Sequence, residues 1–183
     1  MTTERLIKLG RQTAITSFLL GTAIFGIYFF TSSFELLSLG YGFIALAGLI
    51  NIGVLISILV KASQDKDNRT RLFATCALML LNIPVLFFYC WATIILVGTM
   101  RITFTNTTPT TLTNINIVGC GGGHIDKLES GESETVWIEI TGDCSIGIDY
   151  LSGGQKKEEN VASYLTSTMG QKMKHNIGGK NEE

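Results

Sequence analysis

The chain has 183 residues, of which 46% are hydrophobic and only 16% are charged, and its formal net charge is −1. An average soluble domain is about one quarter charged, so the composition indicates a protein with a large apolar part. The near-neutral balance argues against a dedicated nucleic-acid binder, which would carry a clear excess of Lys and Arg.

The long segments without charged residues lie in the first hundred positions. Between Thr13 and Val60 the one ionisable side chain, tyrosines aside, is Glu35, and residues 72–100 contain none apart from Tyr and Cys. Uncharged apolar runs of about 18 residues or more are typical of membrane-spanning helices. The sequence therefore predicts an α-helical transmembrane region over residues 1–100, with three spans at about 13–30, 41–60 and 72–99.

The first apolar run has a rival interpretation as a cleaved signal peptide, because Arg5, Lys8 and Arg11 precede it. An uncleaved span is favoured. The run is longer than a usual signal core, and it ends in Ile-Tyr-Phe-Phe without a small-x-small cleavage site.

Small and amide side chains in the spans predict how the helices pack. In lipid, small residues let helices approach closely, and asparagines hydrogen-bond across helices. We expect the small residues of the second span to contact the other helices of this chain, with a dimer seam as the alternative. An ion path is disfavoured because the spans lack intramembrane charge. The predicted packing residues are Gly42, Ala45, Gly48, Gly53, Asn51 and Asn82.

The third span has about 29 residues, which would rise about 43 Å as a helix, more than a bilayer requires. We expect it to tilt, to kink at Pro84, or to project as a stalk joined to a first β-strand near Arg101.

The basic residues predict the orientation of the spans. Three lie before the first span and four lie in residues 61–71, whereas residues 31–39 contain no Lys or Arg. The positive-inside rule then puts the N-terminus in the cytoplasm, the helices in the cytoplasmic membrane, and the C-terminal domain outside.

Residues 101–177 alternate between apolar and polar side chains in several short runs, with Gly, Pro and Ser between the runs. This pattern predicts a small all-β domain, an antiparallel sandwich of six or seven strands, followed by a flexible tail at 178–183. Whether residues 158–177 form strand or helix stays open. The segment LESGESETVWIEI at 128–140 resembles a turn-plus-strand segment of immunoglobulin-like bacterial modules, and this resemblance implies an immunoglobulin-like fold.

Two cysteines, Cys120 and Cys144, lie in turns of the predicted β domain. In an oxidising compartment we expect them to form a disulfide. The alternatives are free thiols or a metal site at Cys120 and His124, with Cys144 or His175 as a further ligand, although the spacing matches no strong zinc signature.

No catalytic or cofactor motif is recognisable, so neither an enzyme nor a bound cofactor is predicted. The predicted function is that of a non-enzymatic accessory subunit, which binds a membrane or extracytoplasmic protein partner and displays its β domain outside. An exposed aromatic residue, Trp137, is a candidate contact. The alternatives are a homo-oligomeric channel or transporter element and a metal or redox accessory protein.

Overall fold

A computed structural model describes residues 2–179; of the predicted tail, residues 180–183 lie outside the described part. The chain divides into two compact units, residues 1–92 and residues 93–183, called here the helical unit and the β unit. Each is described by itself.

Within the described residues, three helical stretches are long and apolar enough to cross a membrane: Thr3–Thr31, Phe34–Gln64 and Arg69–Val97. The first two are helices α1 and α2, and the third consists of α3 (Arg69–Leu80) and α4 (Asn82–Val97). The prediction of three apolar helices is confirmed. The first two are longer than the uncharged runs, because polar residues continue the helices at their ends. The third has 29 residues, as many as the uncharged run at 72–100, and begins three residues earlier.

The third stretch is interrupted at Leu81, three residues before Pro84. Proline has no amide hydrogen, so the carbonyl of Leu80 lacks its usual donor four residues later. The Leu81 amide still donates to the Ala77 carbonyl at 3.1 Å, so helical hydrogen bonding continues from α3 through Leu81 to the start of α4.

The Arg69 end of the third stretch contacts the start of α1. Arg71 forms an ion pair with Glu4 in the first turn of α1. Further along, Asn82 donates its side-chain amide to the Ala14 carbonyl at 2.9 Å, where the uncharged run of α1 begins. Helix α3 therefore lies beside the polar first turns of α1. At the other end of the stretch, only Gly98 separates α4 from the first strand.

The β unit contains seven strands among its described residues. They are β1 (Thr99–Asn106), β2 (Leu112–Val118), β3 (Gly123–Leu128), β4 (Ser133–Glu139), β5 (Cys144–Ser152), β6 (Gln155–Leu165) and β7 (Lys172–Ile177). They form a three-stranded sheet in the order β4-β1-β7 and a four-stranded sheet in the order β3-β2-β5-β6. Of the segment left open at 158–177, the structure assigns residues 158–165 to β6 and 172–177 to β7.

The sheets are mostly antiparallel, but β1 and β7 pair in parallel, with Arg101 opposite Lys172 and Phe104 opposite His175. The wholly antiparallel arrangement that we expected is therefore wrong for this pair. The cause is the connection at residues 166–171, which returns the chain to the end at which β1 begins, so that both strands run in the same direction.

One hydrophobic core is shared by both sheets. The inward positions of β1, β2 and β5 alternate as the sequence pattern predicts, since successive side chains of a strand point to opposite faces. The largest fully buried side chains of this core include Tyr150, Phe104, Met100, Ile102, Leu112, Ile115, Ile125, Leu128, Ile138 and Ile146.

Candidate functional site: contact surfaces of the two units

Cys120 and Cys144 form a disulfide, with their Cα atoms 5.3 Å apart. It joins the turn after β2 to the first residue of β5. The neighbouring Gly119 has φ +89°, and a Cβ added there would lie 1.9 Å from the Ser145 carbonyl oxygen. Glycine is therefore required beside the bond, because the two backbones approach too closely for any side chain.

The structure does not bring the four metal candidates together. Cys120 and Cys144 are bonded to each other, and the two histidines lie on different sheets. His124 on β3 donates a hydrogen bond from Nδ1 to the Asn116 Oδ1 at 2.8 Å, and its Nε2 lies 3.1 Å from Asp126. Within residues 2–179, no group of three or more His, Cys, Asp or Glu side chains is arranged to hold a metal ion.

His175 belongs instead to a polar network at the side of the sandwich where β6 and β7 are the outer strands. Its Nε2 lies 3.0 Å from Glu159, and the Tyr150 hydroxyl donates to the same carboxylate at 2.5 Å. The Gly178 amide donates to it as well, at 2.9 Å. This carboxylate thus connects the two sheets. Burial, together with the hydrogen bond to Glu159, raises the pKa of Tyr150 well above its usual range.

An open cleft of about 370 Å³ lies beside the disulfide on the four-stranded sheet. Its lining combines backbone at Gly119 and Gly147 with the side chains of Val118, Ser145 and Glu158. The two histidines of the chain are not among the lining residues, so the cleft holds no nucleophile paired with an imidazole base.

Three of the glycines of α2 face away from the other described helices of this chain. At Gly42, Gly48 and Gly53, an added Cβ would meet nothing within 4 Å, and Ala45 is exposed. The expected contacts within the chain are therefore absent at these positions. The helical period gives the face on which small residues lie, but it does not say which face turns toward the neighbouring helices.

The two asparagines link the helices. Asn51 of α2 donates its side-chain amide to the Ser17 hydroxyl of α1 at 2.8 Å. Asn82 donates to the α1 backbone at Ala14, as described above. In an apolar bundle, such bonds fix the helices in register without providing a path for ions.

The close approach of helices occurs at Gly10, which the sequence reasoning missed. A Cβ there would lie 2.5 Å from Ile58 of α2 and 2.7 Å from Thr75 of α3. Gly10 lies before the uncharged run, among Lys8 and Arg11, so its segment was interpreted as a polar lead-in. The apolar repeat that surrounds it could have indicated the contact: Leu6, Ile7, Gly10 and Ala14 are all buried.

Trp137 lies on the outer face of the three-stranded sheet, directly opposite Arg101 of β1. The guanidinium of Arg101 sits 5.6 Å from the centre of the indole ring and is itself buried. The indole remains half exposed. This cation–π contact restrains the tryptophan on the outer face of the sheet.

Several strands end together where β1 begins, and we call this end of the β unit its base. The Ile140 amide donates to the Gly98 carbonyl, and the Gly170 amide donates to the Val97 carbonyl, both at 2.8 Å. The Gly121 amide donates to the Glu139 carbonyl, also at 2.8 Å, which brings the turn after β2 to the same end. The disulfide then adds the start of β5 to the base.

Comparison with known proteins gave no matching protein family, no matching curated protein and no matching solved structure.

Proposed function

We propose that the protein is a non-enzymatic accessory subunit of the cytoplasmic membrane, which binds a membrane protein partner through α2 and displays the β unit outside. The observation that carries this proposal is the outward row of small residues on α2, which no helix of the same chain covers.

The distribution of charge supports this orientation. The α1 start and the α2–α3 connection lie together, as the hydrogen bond of 2.7 Å from Thr3 to Asp65 indicates. Seven Lys and Arg residues lie at or near this end, namely Arg5, Lys8, Arg11, Lys61, Lys66, Arg69 and Arg71. The connection between α1 and α2 contains none. An excess of basic residues marks the cytoplasmic end of a helix bundle.

The disulfide supports export of the β unit, because such bonds persist in oxidising compartments and are rare in the cytosol. The two free cysteines of the described chain, Cys76 and Cys90, lie in the third span, so the bonded pair is confined to the β unit.

The β unit is proposed to be immunoglobulin-like in its layering, with seven strands in sheets of three and four around one core. The parallel β1–β7 pair and the position of the disulfide differ from the antibody pattern, in which the bond joins the two sheets. Here it joins the β2 and β5 ends of one sheet. An experimental structure of the whole protein tests this proposal through the strand order.

The row of small residues on α2 supports a helix of the partner protein as the segment that binds there. Gly42, Ala45 and Gly53 recur at about helical spacing on an exposed face, and small residues gain dispersion contacts when another helix approaches. Leu46 and Leu49 flank them and are also exposed, so the face presents shallow notches between large side chains.

Crosslinking in native membranes, followed by purification of the tagged chain, tests the partner proposal. A Gly42→Leu/Gly53→Leu variant is expected to lose a co-purifying membrane protein that the parent chain retains. Gly26→Leu is the matched control, because Gly26 of α1 also has nothing within 4 Å. Equal recovery of the same protein with all three chains would contradict the proposal.

A homo-oligomer is the second candidate, favoured by the same open face of α2. Co-expression of two differently tagged copies separates the two possibilities. If one copy captures the other, and Gly42→Leu/Gly53→Leu abolishes the capture, the partner is a second copy. The channel hypothesis would then be tested by ion flux in vesicles.

The orientation is tested by thiol labelling of intact cells in a Cys76→Ala/Cys90→Ala background. Ser130→Cys, in the exposed turn between β3 and β4, is expected to react with a membrane-impermeant maleimide. Ser63→Cys, near the end of α2, is expected to react only after the membrane is opened. The reverse pattern would place the β unit in the cytoplasm.

A further inference from the structure

The exposed large apolar side chains of the β strands and their connections are confined to the base. Among the described residues from Thr99 onward there are four: Val118 (57% exposed), Trp137 (50%), Tyr164 (61%) and Met169 (43%). Single exposed apolar residues are common on protein surfaces, but they are normally scattered. Their restriction to one end of the unit requires a cause at that end.

Backbone pairing places each of the four at the base. Val118 is the last residue of β2, just before the disulfide-linked turn, and Trp137 is two residues from the end of β4. Tyr164 precedes Leu165, which pairs with Cys144. Met169 lies in the 166–171 connection, next to the glycine whose amide donates to Val97.

The chain connection places this end next to an apolar helix. Val97 is the last residue of α4, the second half of the third stretch that is long and apolar enough to cross a membrane, and only Gly98 separates it from β1. The Gly170 amide of the 166–171 connection donates to the Val97 carbonyl at 2.8 Å, so the base adjoins the end of this helix. Residues that adjoin the end of a membrane-spanning helix lie at the level of the headgroups.

The base carries no excess of positive charge. Lys172 is exposed, and its neighbour across the strands, Arg101, is buried; Glu139 and Asp143 are exposed and acidic. The formal charges of these four side chains cancel, so the base does not require anionic lipid. Tryptophan and tyrosine favour the headgroup layer because their rings are apolar and carry one polar group.

We propose that the base of the β unit is a lipid-contacting surface, which rests in the headgroup layer of the bilayer that the helices cross. Trp137 and Tyr164 are its interfacial anchors, and Val118 and Met169 add apolar area. The occupant of the surface is phospholipid of the surrounding membrane. The proposal does not depend on the protein partner of α2.

The test uses tryptophan fluorescence of the full chain in phosphatidylcholine vesicles, since the chain contains only two tryptophans. Trp91→Phe leaves Trp137 as the single reporter. The matched control is Trp91→Phe/Trp137→Phe/Ser133→Trp, which moves the indole four residues along the same face of β4. That is about 13 Å farther from the base. Retention of the disulfide and of the urea midpoint checks that each variant is folded.

Lipid brominated near the headgroup is expected to reduce Trp137 emission about twofold and to leave the Ser133→Trp reporter nearly unchanged, as interfacial placement of the indole requires. Aqueous iodide is expected to quench the Ser133→Trp reporter more strongly than Trp137. High salt should leave the lipid quenching intact, because the charges at the base balance.

Three results would overturn the proposal. In the first, bromolipid leaves Trp137 unaffected while iodide quenches both reporters equally. In the second, Trp137 is protected from iodide without quenching by lipid, which would mean that a second copy of the chain covers it. In the third, lipid quenching disappears in high salt.

Discussion

Loss of the Cys120–Cys144 disulfide is expected to remove a large part of the stability of the β unit. The bond links residues 24 apart in sequence. In the chain-entropy treatment, closing a loop of this length stabilises the folded state by about 3.5 kcal/mol at 25 °C. A domain of this size has a free energy of unfolding on the order of 4–12 kcal/mol. The bond would therefore supply between a third and nearly all of it.

The assay is urea unfolding of the full chain in detergent, with Trp137 as the reporter in a Trp91→Phe background. Cys76→Ala and Cys90→Ala are included so that reductant acts only at the disulfide. With an m-value of about 1 kcal/mol/M, the urea midpoint is expected to fall by about 3 M on reduction. The m-value itself should rise, because the reduced denatured chain is more extended and exposes more surface.

The Cys120→Ser/Cys144→Ser variant provides an independent version of the same perturbation. Its midpoint should agree with that of the reduced parent and should not respond to reductant. A fall of less than about 1 M in both experiments would refute the entropy reasoning, since it would mean that the denatured chain is already restricted without the bond.

Three further predictions concern the backbone and one buried hydroxyl. Gly170→Ala should destabilise the β unit by several kcal/mol in urea unfolding, because its Cβ would meet backbone atoms at 2.4–2.6 Å; Gly131→Ala, which has open space at φ +81°, should cost only about 1 kcal/mol. Gly10→Leu should lower the detergent melting temperature of the helical unit, whereas Gly26→Leu should not. Because its folded-state pKa is raised, Tyr150 contributes stability that is present below about pH 10 and lost as pH rises above it. Tyr150→Phe should therefore reduce the alkaline slope of the urea midpoint, and an unchanged slope would contradict this assignment.

Alternation in the sequence predicts five of the strands, namely β1, β2, β4, β5 and β7, of which β4 and β7 are the edges of the three-stranded sheet. In β1, β2 and β5, alternation is visible because one side of each strand faces the core. In contrast, β3 and β6 are the two edges of the four-stranded sheet. β6 reads Gln-Lys-Lys-Glu-Glu-Asn over its first six residues, since a strand at an edge is exposed and favours charge. Residues 155–165 form a strand because they pair with β5. The sequence of the segment itself does not show that pairing.

The helices show the same limit of local patterns. The length of each apolar run and its lack of charged residues predict the three spans. Both properties depend on the surrounding lipid and not on contacts with a particular neighbouring helix. Whether the small residues of α2 face the other helices of the chain could not be predicted in this way. Gly10, at the closest approach of helices, was missed because two basic residues beside it point outward and obscure the buried repeat. The interhelical bonds of Asn51 and Asn82 were easier to anticipate, since an amide in lipid requires a partner.

The constraints of the β unit are unevenly distributed between its two ends. At the base, a Cβ added at Gly119, Gly121 or Gly170 would lie within 3.0 Å of a backbone atom, and the disulfide lies beside these positions. At the far end, the turns at Gly131 and Gly153 have open space around them. The close backbone contacts lie at the base, where the chain enters the β unit. Once they form, the loops that must close for the remaining strands to pair are shorter, which lowers the entropic cost of folding a small domain. The turns at Gly131 and Gly153 carry no such requirement, so inserted tags should be tolerated there and not at Gly119, Gly121 or Gly170.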